Sequence, residues 1–318
     1  MIKHIFFYFL SSLLLYAVPT VTPTMQIETN GTVKDMVLQN GTLLIATDNG
    51  QAQVYDYEKN KFMETLRLPN IKDFMGDSIP ARVFSVDKMD QRYLLLSDSG
   101  KGGYVNLSMI EEGKRTQLLG SVDKYAAIKA RFITKDKILL GLLSNEAVLF
   151  DVVHKKEISR VQLSESKFSD FALNIDRSQA VFACESGILN VIDTSSGKVI
   201  KMLQGQNVDN VYKVDFKHNI ISGAGQDRRA SLYDVQTGKG SYISGSFLIY
   251  ATGLSPSAKR VAFALDEDNS ISVFNTNSKT KIAILKGQKS TPNTILFKDE
   301  NVLFTASDDD TVMMWKLQ

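Results

Sequence analysis

An all-β fold follows from three features of the sequence. One tripeptide type closes an apolar-alternating run seven times, as VYD ending at Asp56, YVN at Asn106, LFD at Asp151, VID at Asp193, LYD at Asp234, VFN at Asn275 and MWK at Lys316. The intervals between these endings are 50, 45, 42, 41, 41 and 41 residues. Between them apolar residues alternate or run in short blocks bounded by Gly, Ser, Asn and Asp, and outside the N-terminal stretch they do not recur at the three-and-four spacing of a helix. A period of about 40 to 45 residues with four short strands is the spacing of propeller blades, so seven periods predict a single seven-bladed β-propeller.

At the N-terminus Lys3 and His4 precede an apolar run from Ile5 to Val18, broken only by Ser11 and Ser12. Charge followed by a short apolar run is the order of a secretory signal peptide, and the run falls short of the ~20 apolar residues that a membrane span needs. The expectation is a leader over residues 1–23, cut between Ala17 and Met25, and a periplasmic propeller domain over 24–318. An uncleaved anchor is the alternative. No cysteine stands near the cut to carry a lipid.

The segment MQIET (Met25–Thr29) comes next and has no blade of its own. Blade bodies are then expected near 33–70, 82–120, 124–164, 168–206, 210–246, 248–289 and 291–318. The fourth shows the order of parts best: FALNI, a turn at DRSQ, AVFAC, a turn at ESG, LNVID, a turn at TSSG, and KVIKML. The last body supplies only NTILF, VLFTA and VMMWK. Pairing the N-terminal strand with it completes seven sheets of four and closes the ring, which removes an exposed strand edge and an apolar blade face.

Composition narrows the chemistry. Lys plus Arg exceeds Asp plus Glu by 37 − 35 = 2, with both signs mixed along the chain, so no field points to nucleic acid or an anionic membrane as partner. Cys184 is the only cysteine, which excludes disulfides and multi-thiolate metal sites, and its apolar surroundings read as a buried small hydrophobe. Outside the leader, His154 and His218 fall in turns of different blades, and neither has an evident nucleophile beside it. No nucleophile elbow or phosphate loop occurs in its proper context. The chain is therefore read as a non-enzyme without cofactor or metal. A quinone-dependent dehydrogenase would need a calcium site and a tryptophan wall, whereas Trp315 stands alone. A channel-mouth metal-dependent hydrolase or lactonase remains the enzymatic alternative, because its ligands scatter across blades; a general envelope assembly scaffold is the third reading.

A closed ring leaves two flat faces of turns, and binding residues are expected there. The longest link between blades, NIKDFMGDSIPAR (Asn70–Arg82), carries Phe74, Met75 and Ile79 beside charged residues, the mixture of a partner-binding loop. Arg228 and Arg229 lie in a turn of blade five on the same side as the links, and arginine is enriched at interface hot spots. Arg82, Lys129, Arg131 and Lys213, near the starts of innermost strands, would make that face or the channel mouth basic, suiting an acidic partner or an anion. The candidate face is therefore Phe74, Met75, Arg82, Arg131, Arg228 and Arg229. The competing reading is apolar residues folded back over the ring and scattered solvated charge.

TASDDDTVMMWK (Thr305–Lys316) and SGAGQDRRASLYD (Ser222–Asp234) resemble the ends of WD40 repeats. The resemblance implies that Asp227, Asp268 and Asp309, each six residues before an aromatic, are structural turn aspartates tying the second-to-third strand turn to its neighbour. Where that family has Gly-His, this chain has Gly205-Gln206 and Gly287-Gln288, and only Trp315 keeps the tryptophan, so the family's His–Asp relay is not expected. A narrower resemblance, carried by ATDNGQAQVYD (Ala46–Asp56), DSIPARVFSVD (Asp77–Asp87) and SGAGQDRRASLYD, is to the accessory propellers encoded with periplasmic nitrate reductases. It implies a monomeric, non-catalytic protein-interaction scaffold, with a component or precursor of a respiratory reductase as partner.

Overall fold

The computed structural model describes residues 17–39 and 41–317. Most of the expected leader, residues 1–16, lies outside the described residues. Seven antiparallel sheets form the ring expected from the repeat, and in blades one to six the chain runs from the innermost strand outward. Blade one is Val33–Gln39, Thr42–Thr47, Gln51–Asp56 and Lys61–Arg67. Blades two to six follow from inner strands at Val83–Met89, Ala127–Thr134, Phe168–Leu173, Val211–Lys217 and Thr252–Leu254. Blade seven begins at Pro292–Phe297, and its inner strand packs beside that of blade one.

The N-terminal strand completes the last blade. Met25–Glu28 lies antiparallel to Thr311–Lys316, with Met25 opposite Met314 and Ile27 opposite Val312. The backbone amides of Thr24 and Thr29 extend the seam by donating to the carbonyls of Met314 and Asp310 at 2.8 and 2.7 Å. One further strand precedes it. Thr20–Val21 runs parallel to Lys281–Leu285 at the outer edge of blade six, where the amides of Ile284 and Lys286 donate to the carbonyls of Pro19 and Val21. Thr20–Val21 thus adds a paired strand ahead of residue 24.

The strand sequences reflect their depth in a blade. Second and third strands are covered by neighbouring blades on both faces, so Leu43 to Thr47 and all of Gln51–Asp56 are buried and read as solid runs. The outermost strand of blade three, Lys156–Gln162, alternates exposed with half-buried positions. The core is divided into seven clusters, one at each interface between neighbouring blades. The closing interface joins Ile27, Phe304, Ala306 and Val312 to Val33, Met36 and Ile45 of blade one.

Inner strands of blades one, three, four, five and seven share an irregularity near their start, where the register shifts between Val33 and Asp35, Ala127 and Lys129, Phe168 and Asp170, Val211 and Lys213, and Pro292 and Thr294. A β-bulge re-aims the residue that follows it. In this ring the device presents Asp35, Lys129, Asp170 and Lys213 to the central channel.

Blade seven carries a buried hydrogen-bond relay that runs through an amide and not an imidazole. Trp315 Nε1 donates to Thr305 Oγ1 at 2.8 Å, and Thr305 Oγ1 donates to Gln288 Oε1 at 2.8 Å. Gln288 Nε2 donates to Ser307 Oγ at 2.6 Å, and that hydroxyl donates to Asp309 Oδ2 at 2.8 Å. A carboxamide offers a donor and an acceptor on one side chain, so Gln288 bridges two hydroxyls where the WD40 pattern carries histidine.

Candidate functional site

The blade one to two link folds into a miniature hairpin in which Ile71–Lys72 pairs with Ser78–Ile79. Asp73 organises its tip. Its carboxylate accepts the amides of Met75 and Asp77, both at 2.9 Å, and its carbonyl accepts Gly76 at 3.1 Å. Gly76, at φ 90°, supplies the left-handed position that reverses the chain. Ile71 anchors the base against the cluster between blades one and two. Phe74 and Met75 do not fold back over the ring: they are 92% and 72% exposed at the tip.

The hairpin leans on a turn of blade two. At Gly100, φ 73°, a Cβ would collide with the carbonyl oxygen of Lys72, so only glycine lets the two backbones approach. Arg82 holds the same turn, with Nη2 donating to Asp98 Oδ2 at 2.8 Å and the guanidinium over the Phe84 ring at 5.6 Å. Its charge remains on the face while its hydrogen bonding is committed to the turn.

Three blades away on the same face, Arg228 is exposed at φ 63°, and its carbonyl accepts Gly245 of the next inter-blade link. Arg229 is structural: its Nη1 donates to the Gln206 carbonyl at 3.1 Å and its guanidinium covers the Tyr242 ring at 4.7 Å. Beside this turn stands an aromatic group that sequence reasoning missed, Tyr212 stacked on Tyr250 at 4.9 Å with Phe247 adjoining. The signal was a tyrosine at or just before the inner strand in two successive blades.

Asp227 ties its turn to the preceding link, accepting Asn207 Nδ2 at 3.0 Å and the Val208 amide at 2.8 Å. Asp309 accepts the amide of Thr311 and the Ser307 hydroxyl. In blade six the work falls on Asp266 instead of Asp268: the Asp266 carboxylate accepts the amides of Asp268 and Ser270. Its position two residues earlier lets it organise the longer turn between Arg260–Phe263 and Ile271–Asn275.

Arg131 sits inside the channel and not on the docking face. Its guanidinium contacts both carboxylate oxygens of Asp35 at 2.9 Å and donates to Ser85 Oγ at 2.6 Å, and its side chain is 12% exposed. The channel wall is a set of inter-blade clasps. Asp35, Asp87, Asp170 and Asp215 accept the backbone amides of Val86, Phe132, Val214 and Leu254, each on the next blade, at 2.8 to 3.1 Å. Burial alone would raise the Asp35 carboxyl, but Arg131, Lys129 and the Val86 amide together hold it below the ordinary aspartate range. Burial holds the Lys129 ammonium below the usual lysine range, even with Asp170 2.7 Å away.

His154 Nδ1 lies 2.9 Å from Asp151 within one exposed turn of blade three, and His218 Nε2, on blade five, lies 3.0 Å from the Pro256 carbonyl of blade six. The two imidazoles are on different blades, and Cys184 is buried. What the arrangement offers chemically is a preformed apolar projection on a stiff basic-rimmed face, around a channel whose carboxylates are already engaged. These features define the class as a closed seven-bladed β-propeller with a protruding hairpin on one face. The chain matches no protein-family model, and no curated protein matches it significantly.

Proposed function

We propose that this chain is a non-catalytic periplasmic scaffold that docks another protein through the Ile71–Ile79 hairpin, as an accessory factor for a periplasmic nitrate reductase or related respiratory system. The exposure of Phe74 and Met75 on a tip held by Asp73 carries the docking reading. Two large apolar side chains in water are costly unless a partner covers them, and a tip ordered before contact loses little entropy on binding. Arg228 across the face adds a rim charge that favours an acidic partner surface. Location follows from the charge-then-apolar leader pattern. The respiratory partner follows from the likeness of Ala46–Asp56, Asp77–Asp87 and Ser222–Asp234 to the accessory propellers.

The test is recovery of partners from periplasm on immobilised wild type, Phe74→Ala and Arg228→Ala, with circular dichroism to confirm folding. Truncation of an aromatic anchor costs about 2 kcal/mol, so Phe74→Ala is expected to weaken capture roughly thirtyfold. Arg228→Ala, at the rim, is expected to act mainly through association rate and salt dependence. Undiminished recovery by folded Phe74→Ala would remove the hairpin from the interface. Mass spectrometry of the captured protein decides between reductase components and general envelope assembly factors.

A further inference from the structure

Among the described residues, the charged groups lining the channel pair off one to one and leave a single remainder. Lys129 meets Asp170 at 2.7 Å, Arg131 meets Asp35 at 2.9 Å, Arg177 meets Asp87 at 2.5 Å and Lys217 meets Asp215 at 2.8 Å. Lys213 is the fifth cation on the wall, and among the described residues no carboxylate lies within 4.0 Å of its ammonium. It follows the blade-five bulge, which places it on both the main channel cavity of about 360 Å³ and a vestibule of about 250 Å³ at the mouth.

The vestibule opens on the face that carries the inter-blade links, because its lining comes from the first residues of inner strands. Lys34 joins Lys129 and Lys213 there, and its nearest carboxylate, Asp48, is 3.9 Å away in a loose contact. Lys213 is close enough to Lys129 to disfavour the charge of the Lys129 ammonium. A bound anion would reverse that sign, and partial burial strengthens its attraction over that at an open surface. Phe84 and Ile128 supply an apolar wall, which suits a short carbon skeleton between charged ends.

We propose that the channel mouth binds a small multivalent oxyanion, with Lys213 as its principal ligand and Lys34 as its second. The site stands apart from the hairpin and does not depend on the docking reading. The same chemistry is presented by a free phosphate-like ion and by a short dicarboxylate, and the two are separable by experiment.

Isothermal titration with inorganic phosphate and, separately, malonate, at fixed low ionic strength set with sodium chloride, tests it on the full chain. Saturable one-to-one binding of at least one anion is expected, with Lys213→Met weakening it tenfold or more and Lys34→Met several-fold. Phosphate alone binding identifies a tetrahedral oxyanion; both binding competitively identifies charge and spacing as the determinants. Absence of saturable binding by either anion overturns the proposal. Undiminished affinity in Lys213→Met, with the variant's thermal midpoint near wild type, overturns it equally. Should Lys213→Met fail to fold, Lys213→Gln, which keeps the stem and a polar end, carries the same expectation.

Discussion

Replacing Ile27 with alanine removes three carbons from a side chain that is 2% exposed in the cluster joining blades seven and one. At ~0.8 kcal/mol per buried methylene the lost transfer energy is roughly 2.4 kcal/mol. The cavity left among Val33, Met36, Phe304 and Val312 adds to this, since those residues belong to two sheets that cannot both move inward. The expected cost is therefore about 3 to 4 kcal/mol, within the observed span for such truncations. For a chain of this size it corresponds to a fall of roughly 4 to 6 °C in thermal midpoint. Equilibrium urea unfolding followed by the emission of Trp315, buried between blades six and seven, reads the closing region directly. Ile200→Ala, at a 49% exposed position on the outer strand of blade four, is the control and should cost under about 0.5 kcal/mol. If Ile27→Ala matched that control, the N-terminal strand would not be clasped in solution and the closure argument would fail.

Other expectations are as direct. Gln288→Leu strands the Thr305 and Ser307 hydroxyls in a buried relay, and should cost about 2 to 3 kcal/mol in urea while changing Trp315 emission; a neutral outcome would show the relay to be idle. Gly100→Ala pushes against the Lys72 carbonyl, so it should weaken partner capture several-fold with little change in global unfolding. Asp35 has a depressed pKa in the folded state, so its contribution is complete above about pH 4, where an unfolded aspartate is ionised, and is lost as pH falls further. Asp193, brought down to about 2 by Ser195 and Ser196, works in the same direction. Wild-type urea midpoints should therefore drop between about pH 4 and pH 2, and less steeply in Asp35→Asn; equal slopes would refute the assignment. Because Thr20–Val21 is paired in blade six, any leader cleavage should leave that strand in place, so N-terminal sequencing of the mature protein should find a first residue at Val18 or earlier, and a start at Met25 would contradict that strand.

The seven-fold plan was legible because blade strands repeat their end sequence at a nearly constant interval, and the short last blade beside an unassigned N-terminal strand implied closure. The exposed tip at Phe74 and Met75 was legible as an apolar pair inside the longest link. The channel was not. Arg131 finds Asp35 96 residues away, and Arg177, which reads only as part of the DRSQ turn, reaches Asp87 90 residues away. Alternation along a strand says which face a charge takes but not which carboxylate meets it across a ring. The bulges compounded this, since one extra residue changes which side chain looks into the channel. Gln288 reads in sequence only as a departure from Gly-His, although an amide has the same capacity as an imidazole to donate and accept.

The seam between Met25–Glu28 and Thr311–Lys316 also sets the order of events during synthesis. Thr24 and Met314 are 290 residues apart, so Met25–Glu28 waits for Thr311–Lys316. At ribosomal speed that interval is roughly 15 to 60 s. Throughout it, the side of the first sheet that carries Val33 and Ile45 has no lid, and the nascent chain passes through a stage in which a sticky surface must be shielded by a holding factor or by speed. Circularly permuted versions that place a native four-stranded sheet at each end would shorten this delay, at the cost of losing the covalent economy of a clasp made from both termini.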